Sequence, residues 1–336
     1  MGTTSRLTAI GFLFRIIILL LVSGIIAITA MLIGPVSISL SEFFEALFSS
    51  GKGDTVSQIL FDIRLPRILY GFAVGGGLSI AGAVFQSMLM NPLAEPYILG
   101  ISSGGTFGAV LSFLIGVSFL GTQMLAFLGA VSAMVIVFLL GKRFGELEPN
   151  VLLLSGVMVG AFFSAAILLM MSLLNDSLRT ALFWLIGNLS LADKNNLLPV
   201  LTVTFTIAFI LILVSDKFNV ISLGSDFGKQ LGLNTNRIKN LTYFATSIMI
   251  GTLVSVSGII GFVGLLIPHL CRIVFGIDNR IVFPASFFIG GSYLILTDTI
   301  ARTIIAPAEI PVGAITALVG APIFIYLLRK RFKIFY

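Results

Sequence analysis

Leu241-Thr-Tyr-Phe-Ala-Thr-Ser-Ile-Met-Ile-Gly-Thr-Leu-Val-Ser-Val-Ser-Gly258-Ile-Ile-Gly261-Phe-Val-Gly-Leu-Leu-Ile-Pro268 runs for 28 residues without a charge. A helix needs about 20 apolar residues to cross a hydrocarbon layer. The stretch is therefore one long span or two short ones broken at Gly258 or Gly261. The charge-free runs around it fall at about 16–34, 68–90, 97–141, 149–175, 195–215, 281–297 and 310–328. The run 97–141 is long enough for two spans, parted near Gly116–Gln123, and 281–297 reaches full length by continuing toward Arg302. With a cytoplasmic amino terminus and the stretch split, ten spans result and 14 of the 20 basic residues lie inside. Left as one span, it puts only 9 inside and 11 outside. Basic residues favour the cytoplasmic side, so the split is the better reading. The expected fold is all-α and polytopic, with about ten transmembrane helices, both termini cytoplasmic, and residues 1–336 forming one transmembrane domain.

Composition agrees. Of 336 residues, 57% are hydrophobic and 10% charged, against about 25% charged in soluble domains. The chain could not cover a soluble body with polar side chains. Residues Met1 to Val22 resemble a signal peptide, but the apolar stretch continues through Ile33, too long for a cleaved segment; it reads as a retained first span. One cysteine (Cys271) and one histidine (His269) exclude disulfides within the chain, cysteine-based metal clusters and multi-histidine metal sites. The net charge of +6 is a topology signal rather than a nucleic-acid face; lipid is the expected surrounding.

Little catalytic chemistry is present. The Gly-Lys pairs Gly51-Lys52, Gly141-Lys142 and Gly228-Lys229 lack the spaced glycine and following Ser/Thr of a phosphate-binding loop. Any ATP would have to be hydrolysed by a partner. Charges cluster at the ends of spans: Arg64 and Arg67 before the second, Asp298 and Arg302 closing the ninth, Glu309 opening the tenth. An ion-coupled transporter, the rival from another class, needs an embedded ionisable group. Only His269 and Asp298 are candidates, both near an interface, and His269 reads more simply as a helix-end side chain. An intramembrane hydrolase lacks a serine in a nucleophile-like turn.

Three further segments stand out. Residues 39–50 form an amphipathic helix on the outer surface, with Ser41 as N-cap and Glu42 in the first turn. In Asn91-Pro92-Leu93-Ala94-Glu95-Pro96, two prolines four apart forbid a continuing helix, giving a rigid turn at the cytoplasmic face. The longest cytoplasmic loop, 216–240, has room for two short helices jointed at Gly232. Gly71-x-x-x-Gly75 and Gly100-x-x-x-Gly104 allow close helix crossings.

Several motifs in series closely resemble the FecCD family, the permease subunits of ABC importers for iron–siderophores, haem and cobalamin. In the first half they are Arg64-Leu-Pro-Arg67, Gly82-Ala-Val-Phe-Gln86, Asn91-Pro-Leu-Ala-Glu-Pro96 and Leu99-Gly-Ile-Ser-Ser-Gly104. In the second they are Gly261-Phe-Val-Gly-Leu-Leu-Ile-Pro-His269, Asp278-Asn-Arg280 with Pro284, Asp298-Thr-Ile-Ala-Arg302, Glu309-Ile-Pro-Val-Gly313 and Gly320-Ala-Pro322. The resemblance spans about residue 60 to the carboxyl end. One departure is Asp278-Asn279-Arg280, where the family has Asp-His-Arg, at an expected structural turn.

The resemblance implies a type II ABC importer permease fold in a bacterial plasma membrane. It implies a second permease, identical or paralogous, two cytoplasmic ATPases and an extracellular binding protein, with substrate passing between the two permeases. It implies no catalytic residue, metal or cofactor on this chain, ATP and Mg being used by the ATPases. The cargo expected is an iron–siderophore, with haem or cobalamin as the alternative. By the same resemblance Arg64, Arg67 and Arg302 dock the binding protein, and Asn91 and Leu93 form the cytoplasmic gate. Phe227-Gly-Lys-Gln-Leu231-Gly232-Leu resembles the family's ATPase-coupling element, with Phe227 and Leu231 as apolar knobs on one helical face and Gly232 ending the first short helix.

Overall fold

The computed structural model describes residues 9–48, 55–174, 177–190 and 194–332. The ends carrying Arg6 and Lys333, and the end of the 39–50 segment, lie outside the described residues. Fourteen helices follow in order: α1 (Ala9–Leu32), α2 (Leu40–Phe48), α3 (Thr55–Met88, π-helical over Gln58–Arg64), α4 (Ile101–Ile115), α5 (Phe119–Leu140), α6 (Pro149–Leu173) and α7 (Leu178–Leu185). Then come α8 (Leu197–Leu213), α9 (Ser215–Ile221), α10 (Ser225–Gln230), α11 (Thr235–Ser257), α12 (Val263–Phe275), α13 (Asn279–Thr303) and α14 (Val312–Phe332). A small antiparallel hairpin, β1 (Lys142–Arg143) with β2 (Glu146–Leu147), joins α5 to α6. Among the described residues, seven helices are long and apolar enough to cross a bilayer, and α4, α12 and α14 contribute three shorter apolar ones.

The 241–268 stretch is broken, as expected. Helix α11 stops at Ser257, Gly258 turns to φ +67°, and Phe262 takes φ +67° before α12 begins. The 97–141 run parts at Gly116 (φ +70°), where Ser118 caps α5. Some boundaries differ from expectation. Helix α3 starts at Thr55, well before the apolar run at 68, so Arg64 and Arg67 lie inside a helix. The N-cap of α2 is Ser39, not Ser41: its hydroxyl accepts from the Glu42 N–H at 3.3 Å, while Glu42 accepts from the Ser39 N–H at 2.7 Å. This reciprocal pair is a capping box. His269 sits within α12, edge-to-face on Phe324 at 5.9 Å, rather than at a helix end.

Helix α3 is the hub. It packs mainly against α13 and also against α12, α11 and α8. Its most apolar window is 89% buried, against 11% for α1. In lipid no hydrophobic drive separates one apolar surface from another, so close backbone approach and dispersion select the interfaces. Glycines supply that approach. A Cβ on Gly75 would run into the Gly290 carbonyl, and one on Gly82 into the Gly264 carbonyl. Gly104 and Gly108 of α4 meet the α5 backbone at Gly129 and Leu125 in the same way.

These contacts make a paired prediction. Gly82→Ala should lower the thermal stability of the purified protein by about 1–3 kcal/mol or more, through overpacking. Gly24→Ala on α1, where nothing lies within 4 Å, should leave it unchanged or slightly raised. Scanning fluorimetry in one detergent reads the difference.

Candidate functional site

Polar side chains gather at two ends of the bundle and at one place between them. At the first end, Arg67 reaches from α3 to two carboxylates distant in sequence. Its Nε and Nη2 donate to Asp298 at 2.8 and 2.9 Å, and its Nη1 donates to both Glu309 oxygens at 3.0 Å. Ser190 also donates to Glu309. Burial pushes the Glu309 carboxyl up, but the Ser190 hydroxyl and Arg67 outweigh it and hold the group below the usual carboxylate range. The stability this pairing adds is present above the ordinary carboxylate pKa and is lost as the pH falls through the lowered value.

The other two arginines serve α1. Arg64 donates to the carbonyls of Met31, Leu32 and Val36, and Arg302 to that of Ala30. A helix leaves its last four carbonyls without partners in the chain, and a cation there also meets the negative end of the helix dipole. The expectation of an exposed docking trio is therefore corrected. Arg64, Arg67 and Arg302 are 3%, 9% and 4% exposed, with their guanidinium groups engaged inside the fold. The burial of Arg64 and Arg67 follows from the early start of α3, which folds what looked like a flanking loop into the bundle, and that of Arg302 from the packing of α13 on the end of α1.

The middle cluster was not anticipated. After α3 the chain turns back at Met90 (φ +50°), and the Asn91 N–H donates to the Gln86 carbonyl at 3.1 Å. The Asn91 side chain accepts from the Leu93 N–H at 2.9 Å, fixing the Pro-bounded turn. The segment then climbs beside α12. Glu95 accepts from the Phe262 N–H at 2.9 Å, and the Tyr97 hydroxyl accepts from the Ile260 N–H at 3.0 Å. Ser79, nine residues before the end of α3, donates to the Val263 carbonyl at 3.4 Å, which places the start of α12 level with it. Gln86 lies seven residues further along, about 10 Å at 1.5 Å per residue. Glu95 is thus half-buried against the start of α12, away from the exposed turn at Met90–Leu93, and is a carboxylate inside the bundle's length that the reading of His269 and Asp298 as the candidates missed. An acidic residue held between two prolines was the available signal.

At the opposite end, α12, α3 and the short helices meet. Arg272 donates to Gln86 and Ser87. Ser87 donates to the Asn279 side chain at 2.9 Å, and the Asn219 side-chain Oδ1 accepts from the Asn279 N–H at 2.8 Å. Asn219 also donates to Asp278 at 2.7 Å. A cavity of about 530 Å³ opens here, lined by Gln86, Asn91, Asn219, Arg272 and Asn279 among others. Asn279, at the family's histidine position, is 2% exposed and joins three helices rather than merely making a turn.

Beyond them, α9 and α10 are jointed at Gly224 (φ +116°), not at Gly232. Gly232 (φ +79°) ends the second short helix, its N–H bonded to Lys229 and that of Leu233 to Gly228. This is a Schellman ending. Residues 235–240 already belong to α11, so the loop is shorter than read. Phe227 and Leu231 are 45% and 59% exposed. Lys229 ties α10 to the hairpin through Glu146 at 2.7 Å. Among the described residues no group of three or more His, Cys, Asp or Glu side chains could hold a metal.

The ion cluster predicts an asymmetry. Arg67→Met strands two carboxylates, one of them 6% exposed in its side chain, and should cost about 3–5 kcal/mol. Lys should rescue Arg67 poorly, because it cannot form the fork. Lys194→Ala removes an exposed pair with Asp62 and should change stability by less than about 1 kcal/mol. Thermal unfolding of the three variants checks this.

Comparison with known proteins agrees with this architecture. The model of the FecCD transport family matches residues 17–330. The cobalamin import system permease protein BtuC of Halobacterium salinarum is 38% identical, over 86% of this chain and 78% of its own. The Fe(3+)-citrate import system permease protein YfmE of Bacillus subtilis is 35% identical, over 94% of this chain and 95% of its own. A solved structure of an inward-facing metal-chelate type ABC transporter superposes with a TM-score of 0.85 and 32% identity, covering 94% of this chain and 99% of that one. With its broken helices, glycine-packed hub and matching family model, the chain belongs to the FecCD transport family of ABC importer permeases.

Proposed function

We propose that this permease carries iron–siderophore complexes across a bacterial plasma membrane, with both termini cytoplasmic. A second permease, identical or paralogous, completes the pathway. An extracellular binding protein delivers the cargo to the Arg67 end. Two ATPase subunits supply ATP hydrolysis with Mg, and this chain is non-catalytic. The iron cargo draws on the metal-chelate and iron–citrate transporters among its relatives; the cobalamin permease keeps a cobalt chelate as the alternative.

One observation carries the mechanism. The Pro-bounded turn that carries Leu93 lies, through Asn91 and Pro92, against the same cavity as Asn219 of α9, and α9 leads directly to the exposed Phe227 and Leu231. Asn91 and Leu93 act as the cytoplasmic gate. Phe227 and Leu231 seat in an apolar groove of the ATPase, and Gly232 ends their helix so that the knobs stay at its tip. A displacement of α10 reaches the gate through Asn219 and the Asp278–Asn279 turn. The basic residues of this end, Lys229, Arg237, Arg272 and Arg280 among them, fit a cytoplasmic position. An ion-coupled mechanism is less well supported, because the embedded Glu95 carboxylate is engaged by a backbone donor.

Leu231→Asp should detach the ATPase or abolish transport while membrane insertion continues. Copurification and uptake by the same preparation check this; normal values for both would remove the coupling role. A deletion strain grown on ferric siderophores, ferric citrate, haem and cobalamin separately should lose growth on a siderophore. Loss on cobalamin or haem alone would reassign the cargo. Uptake driven by an ion gradient without ATPase would overturn the class.

A further inference from the structure

The segment that carries Asn91 and Leu93 is fastened at both of its ends to one helix. Below the turn, Gln86 and Ser87 are held by Arg272 near the end of α12. Above it, Glu95 and Tyr97 accept the N–H groups of Phe262 and Ile260, where α12 begins. These two donors exist because α11 stops at Ser257 and α12 restarts at Val263. A break in a helix frees backbone donors that the helix no longer pairs, and a part-buried donor is stabilised by finding a protein acceptor. Here both acceptors come from the gate segment. Pro96 also packs where a Cβ on Gly264 would stand, so nothing separates segment from helix.

We infer that Glu95, with Tyr97, is the positioning residue that makes the gate segment and α12 move as one body. Residues 86–97 then act as a bracket on a 13-residue lever. The lever's far end adjoins the Asp278–Asn279 turn, which Asn219 of α9 grips. A push on the short helices therefore shifts Leu93 only while the upper fastening holds. Without it, the lower end follows Arg272 while the upper part of the turn stays behind. The role needs an acceptor oxygen at position 95, not a negative charge. This inference rests on the proposed gate role of Asn91 and Leu93.

The test uses the permease assembled with its ATPases in nanodiscs, with Cys271→Ala and Leu93→Cys as background. Maleimide labelling of the new thiol is compared without nucleotide and after trapping with ATP and vanadate. The background should label differently in the two states. Glu95→Ala and Tyr97→Phe should each shrink that contrast roughly five- to tenfold, the factor one hydrogen bond is worth in an equilibrium, while ATP hydrolysis persists. Glu95→Gln, which keeps the acceptor, should restore it. Full contrast in Glu95→Ala, or a Gln variant as impaired as Ala, overturns the inference. If Glu95→Ala does not assemble, Tyr97→Phe decides alone, and an undiminished contrast there also overturns it. A background that labels identically in both states sinks the gate reading itself, so the two failures are distinguishable.

Discussion

The structure depends on satisfying backbone hydrogen bonds where no water is available. Helices solve this internally along their length, but α4 and α12 both begin part-way through the bundle. The residues preceding α12 have part-buried donors that no helix pairs, and an unmet buried donor costs about 1–3 kcal/mol. Glu95 and Tyr97 meet two of them. The consequence is mechanical: residues more than 160 positions apart are joined at a place that neither could occupy alone.

The same economy governs the helix ends. Helix α1 is mostly exposed but packs along α13, and its carbonyl terminus is closed by Arg64 and Arg302 from other helices. Arg67, between them, is balanced by Asp298 and Glu309. Three guanidinium groups stand near two carboxylates, and carbonyl oxygens take up the remaining positive charge. That arrangement explains why arginine is used here: its fork of donors reaches several oxygens at once, which an ammonium cannot.

Between the two ends, α3 provides a stiff axis. Its glycines bring α13 and α12 to backbone contact, where side-chain adjustment is not possible. A body packed this way transmits displacement instead of absorbing it. The exposed groups at the Arg272 end, by contrast, sit on helices of six and seven residues separated by Gly224. Rigidity in the bundle and a jointed element at its edge are complementary.

The sequence by itself determined the membrane class, the positions of the apolar helices and the breaks near Gly116–Gln123 and at Gly258 or Gly261. These depend on local quantities: run length, charge, and the φ freedom of glycine. It also carried the family motifs in order. It misplaced Arg64, Arg67 and Arg302, because a charged residue flanking an apolar run looks exposed until its distant partners are known. Asp298 and Glu309 lie more than 230 residues from Arg67, and no local pattern pairs them. It read residues 91–96 as one surface turn for a similar reason: Met90 and Leu93 are exposed, but prolines at 92 and 96 report that the helix ends, not where the chain goes next. Only the tertiary structure decided that Glu95 turns inward, because the donors that hold it belong to a helix break elsewhere in the chain.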